Sequence, residues 1–127
     1  MATLPAIKNV WRASEMSPSI AHGLGSGFDK LNEQLPGDGW PTGMLTELIT
    51  RHAGVGELRL LVPVLRRLTQ AGKVVILLAP PLIPYAPALA SFGIDLDYLI
   101  IIQAGNAADR LWAVEQTLKS ASFGALL

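Results

Sequence analysis

The residues best placed to do chemistry lie in Thr50-Arg51-His52-Ala53-Gly54-Val55-Gly56-Glu57-Leu58. Glycines at the start of a helix leave backbone N–H groups free to cradle a phosphate. A working phosphate loop follows G-x-x-x-x-G-K-[ST], where the lysine neutralises the phosphates and the hydroxyl ligates Mg²⁺. With Gly56 on the last glycine of that pattern, Arg51 falls on the first glycine, Glu57 on the lysine and Leu58 on the hydroxyl residue. A carboxylate repels a triphosphate, and leucine offers magnesium no ligand. The helix N-terminus still attracts anions, but Glu57 already stands in that first turn. Arg51, Gly54, Gly56, Glu57 and Leu58 therefore form a degenerate phosphate loop, and neither nucleotide hydrolysis nor a bound cofactor is expected.

The other chemistry-bearing groups are weaker. Gly23-Leu24-Gly25-Ser26-Gly27 is glycine-rich, but no strand precedes it, so it reads as a flexible lead-in to the next helix. His22 and His52, the only histidines, have no Ser or Asp at a diagnostic spacing. Asp95 and Asp97 suit a turn and cap device. No metal-ligating constellation is present. The absence of cysteine excludes disulfides, thiolate catalysis and zinc-finger sites. Pro80-Pro81-Leu82-Ile83-Pro84-Tyr85 follows the carboxyl end of a predicted strand, where α/β proteins place ligand sites. Three prolines stiffen it, so it loses little entropy on docking, and Leu82, Ile83 and Tyr85 cannot all turn inward.

Alternating elements must position these residues. Phe28, Leu31 and Leu35 give one apolar helical face that Pro36-Gly37 stops. Met44–Ile49 alternates and is expected to form a strand. Leu58–Leu68 has helical apolar spacing with Pro63 inside it, at an intrinsic cost of about 3 kcal/mol. Gly72 ends that helix. Lys73–Ala79 and Tyr98–Gln103 are continuous apolar runs, as expected of parallel strands covered on both faces. Tyr85–Phe92 is a short helix closed by Gly93. Ala107–Ser120 is a helix whose Leu111, Val114 and Leu118 are expected to face inward, flanked by Trp112. Phe123–Leu127 begins a further strand. The order gives an α/β fold with a mostly parallel sheet and right-handed crossovers. Residues 1–22 have little periodicity beyond a short helix at Val10-Trp11, and are expected to be an arm preceding a domain over 23–127.

The chain's 127 residues are half hydrophobic and 16% charged, which favours one folded domain. Basic and acidic residues balance at ten each, and residues 51–127 carry seven against five. No strong nucleic-acid face is expected from so small an excess. The apolar runs are shorter than the roughly 20 residues that cross a bilayer, and no signal pattern opens the chain. A cytoplasmic location away from membranes is the expectation. An apolar run at the end reads as part of a longer natural protein.

Gly27-Phe28-x-x-Leu31, then Leu35-Pro36-Gly37-Asp38-Gly39-Trp40-Pro41-x-Gly43-x-Leu45-x-Glu47-Leu48, resembles the start of the RecA core. Ala71-Gly72-Lys73-Val74-Val75 and Gly93-Ile94-Asp95-Leu96-Asp97-Tyr98-Leu99 are similar to its next two strand approaches. The SulA/ImuA branch is closer still, through Gly56-Glu57-Leu58-x-Leu60-Leu61-x-Pro63-x-Leu65, Ala79-Pro80-Pro81-x-Ile83-Pro84-Tyr85-Ala86-Pro87-Ala88 and Leu111-Trp112-Ala113-x-Glu115-Gln116. The resemblance runs from about residue 23 to the end and is greatest to ImuA. It implies a RecA-like three-layer core and a non-enzymatic, DNA-damage-induced partner in translesion synthesis, working with ImuB, a DnaE-type polymerase and RecA. The acid that would activate water falls on Pro81. The SulA relatives imply an alternative, a division inhibitor that binds FtsZ and blocks septation. Of the positions thought to face FtsZ, a basic residue matches Lys73 and a leucine matches Leu78, whereas an aromatic falls on Ala88 and a second basic residue on Tyr98. A homodimer is also implied. Candidate contact residues are Lys73, Leu78, Pro80, Pro81, Leu82, Ile83 and Tyr85.

Overall fold

A computed structural model describes residues 22–52 and 54–127. The expected arm, apart from His22, and its Val10-Trp11 helix lie outside the described residues. Helix α1 (Asp29–Asn32) precedes α2 (Glu57–Gln70), β1 (Val75–Leu78), α3 (Ala86–Ser91), β2 (Leu99–Ile102), α4 (Ala107–Ser120) and β3 (Ala125–Leu126). Short 3₁₀ turns occupy Pro36–Asp38 and Leu96–Tyr98. The sheet is wholly parallel in the order β2-β1-β3, with Val75 beside Leu99 on one side and Ala125 on the other. The chain is thus α/β, as the alternation of elements implied.

Right-handed crossovers set the layers. The step from β1 to β2 and the step from β2 back across β1 to β3 run in opposite directions, so α3 and α4 cover opposite faces. Val75 and Leu77 point to one face and pack with Val64 and Leu65 of α2, Leu89 of α3, Ile94 and Trp40. Ile76 points the other way, toward α4, whose buried residues are Ala113 and Thr117.

Helix α2 is unbroken at Pro63. Its ring lies against Gly27, where a Cβ would sit 2.4 Å from the Pro63 Cβ. With φ at +87°, Gly27 needs glycine on both counts. A close contact with the preceding segment thus goes with the proline that disturbs the helix. Arg67 also donates to the Gly25 carbonyl. The glycine-rich stretch is therefore not a flexible lead-in: Ser26 is fully buried, its N–H bonds Asn32 Oδ1 at 2.8 Å, and Leu24 bridges Trp40. Thr69, also fully buried, donates to the Leu65 carbonyl and accepts from the Asp95 N–H at 3.1 Å, tying α2 to the turn before β2.

Three further expectations are corrected. Met44–Ile49 is not a strand: it joins no ladder and is exposed along its length. The run has apolar residues on both alternating sets, but no described strand lies beside it, and a strand needs a hydrogen-bonding neighbour. Strand β2 is not covered on both faces. Among the described residues it is an edge, and Ile100 and Ile101 remain partly exposed. In α4 the inward residues are Ala113 and Thr117, with Val114 half-buried, while Leu111 and Leu118 face solvent. The small residues let the helix lie close on Ile76, which turns the large ones to the flank. Among the described residues no helix is long and apolar enough to cross a membrane.

Candidate functional site

Helix α2 returns through Ala71–Val74 directly into β1, so the two run antiparallel. The start of α2 therefore lies at the carboxyl end of the sheet. The loop after β1 and the Gln103–Asn106 loop after β2 leave from that same end. Open α/β sheets bind their ligands there.

The Gly54–Glu57 turn, part of the stretch expected to be a degenerate phosphate loop, is folded on itself. Gly54 and Gly56 take φ of +79° and +105°, and Gly56 caps α2. These left-handed turns aim backbone N–H groups at one point, and the Glu57 side chain fills it. Its Oε1 accepts from the Gly54 N–H at 2.8 Å and its Oε2 accepts from the Gly56 N–H at 3.1 Å. The Gly54 N–H, with its own and the Gly56 backbone N–H, holds the carboxyl below its ordinary value. The chain's own carboxylate thus satisfies both of these donors. Leu58 packs against the apolar cluster, and Arg51 and His52 stand in solvent. Among the described residues no three His, Cys, Asp or Glu side chains gather to hold a metal.

The second component is the loop after β1. Ala79 turns the chain out of the sheet at φ +44°, its N–H bonded to the Ile102 carbonyl. Pro80 is half-buried and Pro81 exposed. Beyond them Leu82 is 82%, Ile83 72% and Tyr85 73% exposed, so the rigid apolar loop presents its side chains to solvent rather than to the core. Val55, in the glycine loop at the same end, is exposed as well. It escaped the sequence reading, although a β-branched residue between two glycines is a usable signal, since such loops have little room to bury one.

The other candidate contact residues do not gather here. Lys73 lies before β1, at the amino end of the sheet. Pro80 is seven positions further on, roughly 23 Å at about 3.3 Å per residue. Leu78 is half-buried within β1, its N–H bonded to the Leu127 carbonyl. Asp95 and Asp97 form the expected cap, with Asp95 Oδ1 accepting from the Asp97 N–H at 3.1 Å.

Set against known protein families, the chain matches none, and no curated protein matches it either. The likeness to the SulA/ImuA branch rests on the motifs quoted above.

Proposed function

We propose that this chain is a RecA-like domain without nucleotide chemistry that works by protein contact, in the manner of ImuA in damage-induced translesion synthesis. The observation that carries the reading is the Glu57 carboxylate seated on the Gly54 and Gly56 N–H groups. A loop already neutralised from within has no vacancy for a triphosphate. The exposed Leu82, Ile83 and Tyr85 support the second half. They form a stiff apolar projection at the end of the sheet where this architecture places its ligands, suited to docking on a protein.

The partners under this reading are ImuB, RecA and a DnaE-type polymerase. The division-inhibitor reading keeps two matched FtsZ-facing positions, Lys73, exposed at the amino end of the sheet, and Leu78, half-buried within β1. Lys73 and the Leu82–Tyr85 loop lie at opposite ends of the sheet, so one experiment with a variant at each separates the two readings. Purified chain is passed over immobilised ImuB, RecA and FtsZ, beside Leu82→Asp with Tyr85→Ala and, separately, Lys73→Glu. The translesion reading expects capture by ImuB or RecA that falls at least tenfold in the loop variant and is unchanged in Lys73→Glu. Capture by FtsZ with loss of its polymerisation, abolished by Lys73→Glu, selects the inhibitor. Capture by none of the three refutes both.

A further inference from the structure

We infer that Asp38-Gly39 is a site of covalent self-modification, at which the Gly39 backbone nitrogen attacks the Asp38 side-chain carboxyl and the resulting succinimide opens to an isoaspartyl linkage beside Trp40. The turn lies apart from the loops assigned to partner contact above. The inference therefore stands or falls independently of that function.

The turn brings an unengaged carboxyl next to an unengaged nitrogen. Asp38 is exposed, and among the described residues its carboxyl has no hydrogen-bond or ion-pair partner. Gly39 has no side chain to shield its nitrogen. Among the described residues its N–H donates no hydrogen bond, although both neighbours do: the Asp38 N–H to the Leu35 carbonyl at 3.2 Å and the Trp40 N–H to the Leu24 carbonyl at 2.7 Å. Gly37 and Asp38 both stand in the left-handed region, at φ of +72° and +58°. That conformation disfavours a residue with a Cβ, and aspartate is among the few that adopt it. The other four aspartates lack this combination. Asp29 and Asp97 sit in helical turns and precede Lys30 and Tyr98, while the Asp95 and Asp109 carboxyls are engaged in caps. Asp38 alone is followed by glycine.

The chemistry needs only water. The Gly39 nitrogen adds to Cγ of the protonated Asp38 carboxyl and closes a five-membered ring. The carboxyl's hydroxyl and the amide hydrogen leave together as one water. A water then adds to a ring carbonyl. Addition at the Asp38 backbone carbonyl breaks its bond to the Gly39 nitrogen and leaves Gly39 joined through Cγ. The main chain now includes the Asp38 Cβ and is longer by one carbon–carbon bond, about 1.5 Å. The packing has no slack for it. A Cβ on Gly39 would already lie 2.4 Å from the Leu24 carbonyl oxygen. Trp40, 8% exposed, exchanges hydrogen bonds of 2.7 and 2.8 Å with Leu24 and packs on Val64, Leu65 and Leu89. Lengthening the chain at Gly39 displaces Trp40, so the modified form is less stable than its parent.

The whole chain, kept folded at mildly acidic pH, is sampled over weeks by peptide mass mapping with fragmentation that separates aspartate from isoaspartate. A form lighter by one water is expected at Asp38, followed by isoaspartate there at least tenfold above each other aspartate. Asp38→Asn reaches the same succinimide by losing ammonia and is expected to convert faster. Asp38→Glu, whose longer side chain cannot close the five-membered ring, is expected to stay unchanged. An isoaspartyl methyltransferase with S-adenosylmethionine is expected to label the aged wild type and not aged Asp38→Glu. The isolated isoaspartyl form is expected to melt below the wild type. A folded chain that stays inert while the same chain reacts in urea overturns the inference, as does isoaspartate spread evenly over the aspartates. A modified form that melts with its parent overturns the link to Trp40.

Discussion

Installing the phosphate-loop side chains that the sequence lacks should not create ATP chemistry. In Glu57→Lys with Leu58→Thr, the last glycine is followed by the cation and the hydroxyl that a nucleotide loop uses. The loop would still begin at Arg51 rather than glycine, and Pro81 would still stand at the position that the RecA resemblance assigns to the water-activating acid. Magnesium-dependent ATP turnover is therefore expected to stay at the no-enzyme background, against the 1–10³ s⁻¹ typical of enzymes. The variant also loses stability for a separate reason. Leu58 is half-buried against the apolar cluster around Val64 and Leu65. Exchanging it for threonine removes about half of a leucine's burial and some helix propensity, together about 1–2 kcal/mol. In a domain of this size the melting temperature falls by roughly 4–10 °C. The assay couples phosphate release at saturating ATP and magnesium to a thermal melt of the same sample, so that folded protein is known to be present. Turnover that appears in the double variant and disappears when Gly54 and Gly56 are replaced would refute the account, because it would mean that the two side chains alone had been withholding the activity.

Four further outcomes follow from the packing and the charge. The Glu57 carboxyl is held below its unfolded value of about 4.3, so it contributes stability above that pH and loses it as the pH falls through the lower folded value. Urea midpoints of Glu57→Gln should therefore change less than those of the wild type on acidification from about pH 5 to 3, and equal slopes would contradict the two loop hydrogen bonds. Thr69→Val leaves the Asp95 N–H without its acceptor and should cost about 1–3 kcal/mol in denaturant unfolding, with Thr69→Ser much milder. Gly27→Ala, with φ at +87° and a Cβ 2.4 Å from Pro63, should cost about 2–4 kcal/mol, and a neutral result would mean that the contact is absent. Ala79→Gly relieves a left-handed alanine and should raise stability by roughly 0.5–1 kcal/mol, and a lower melting temperature would count against that turn.

The helices and parallel strands were legible because their signals are local. Continuous apolar runs at Val75–Leu78 and Leu99–Ile102, helical spacing through Leu58 to Leu68, and stop glycines at Gly72 and Gly93 need no knowledge of distant residues. Illegible features depend on a neighbour. An apolar stripe identifies residues that gain from burial, but not whether a layer exists to bury them. Hence Leu111 and Leu118 were expected inside, and Met44–Ile49 was expected in a sheet. Pro63 is the converse case. Its penalty is visible in the helix pattern, whereas the contact that goes with it lies at Gly27, in another segment. At the candidate site, charge substitution at Glu57 was legible from spacing alone. The return of that carboxylate onto its own loop was not, because it depends on the left-handed turns at Gly54 and Gly56.

Those turns bear on why a glycine loop before a helix need not bind phosphate. Without an internal partner, the Gly54 and Gly56 N–H groups would favour any anion. Placing glutamate at the first helical position satisfies those donors with the chain's own charge. The left-handed φ of Gly54 and Gly56 aims their N–H groups at that side chain. A glycine-rich turn before a helix is therefore insufficient evidence of a nucleotide site. What decides is which anion is nearer, and here it is one residue away.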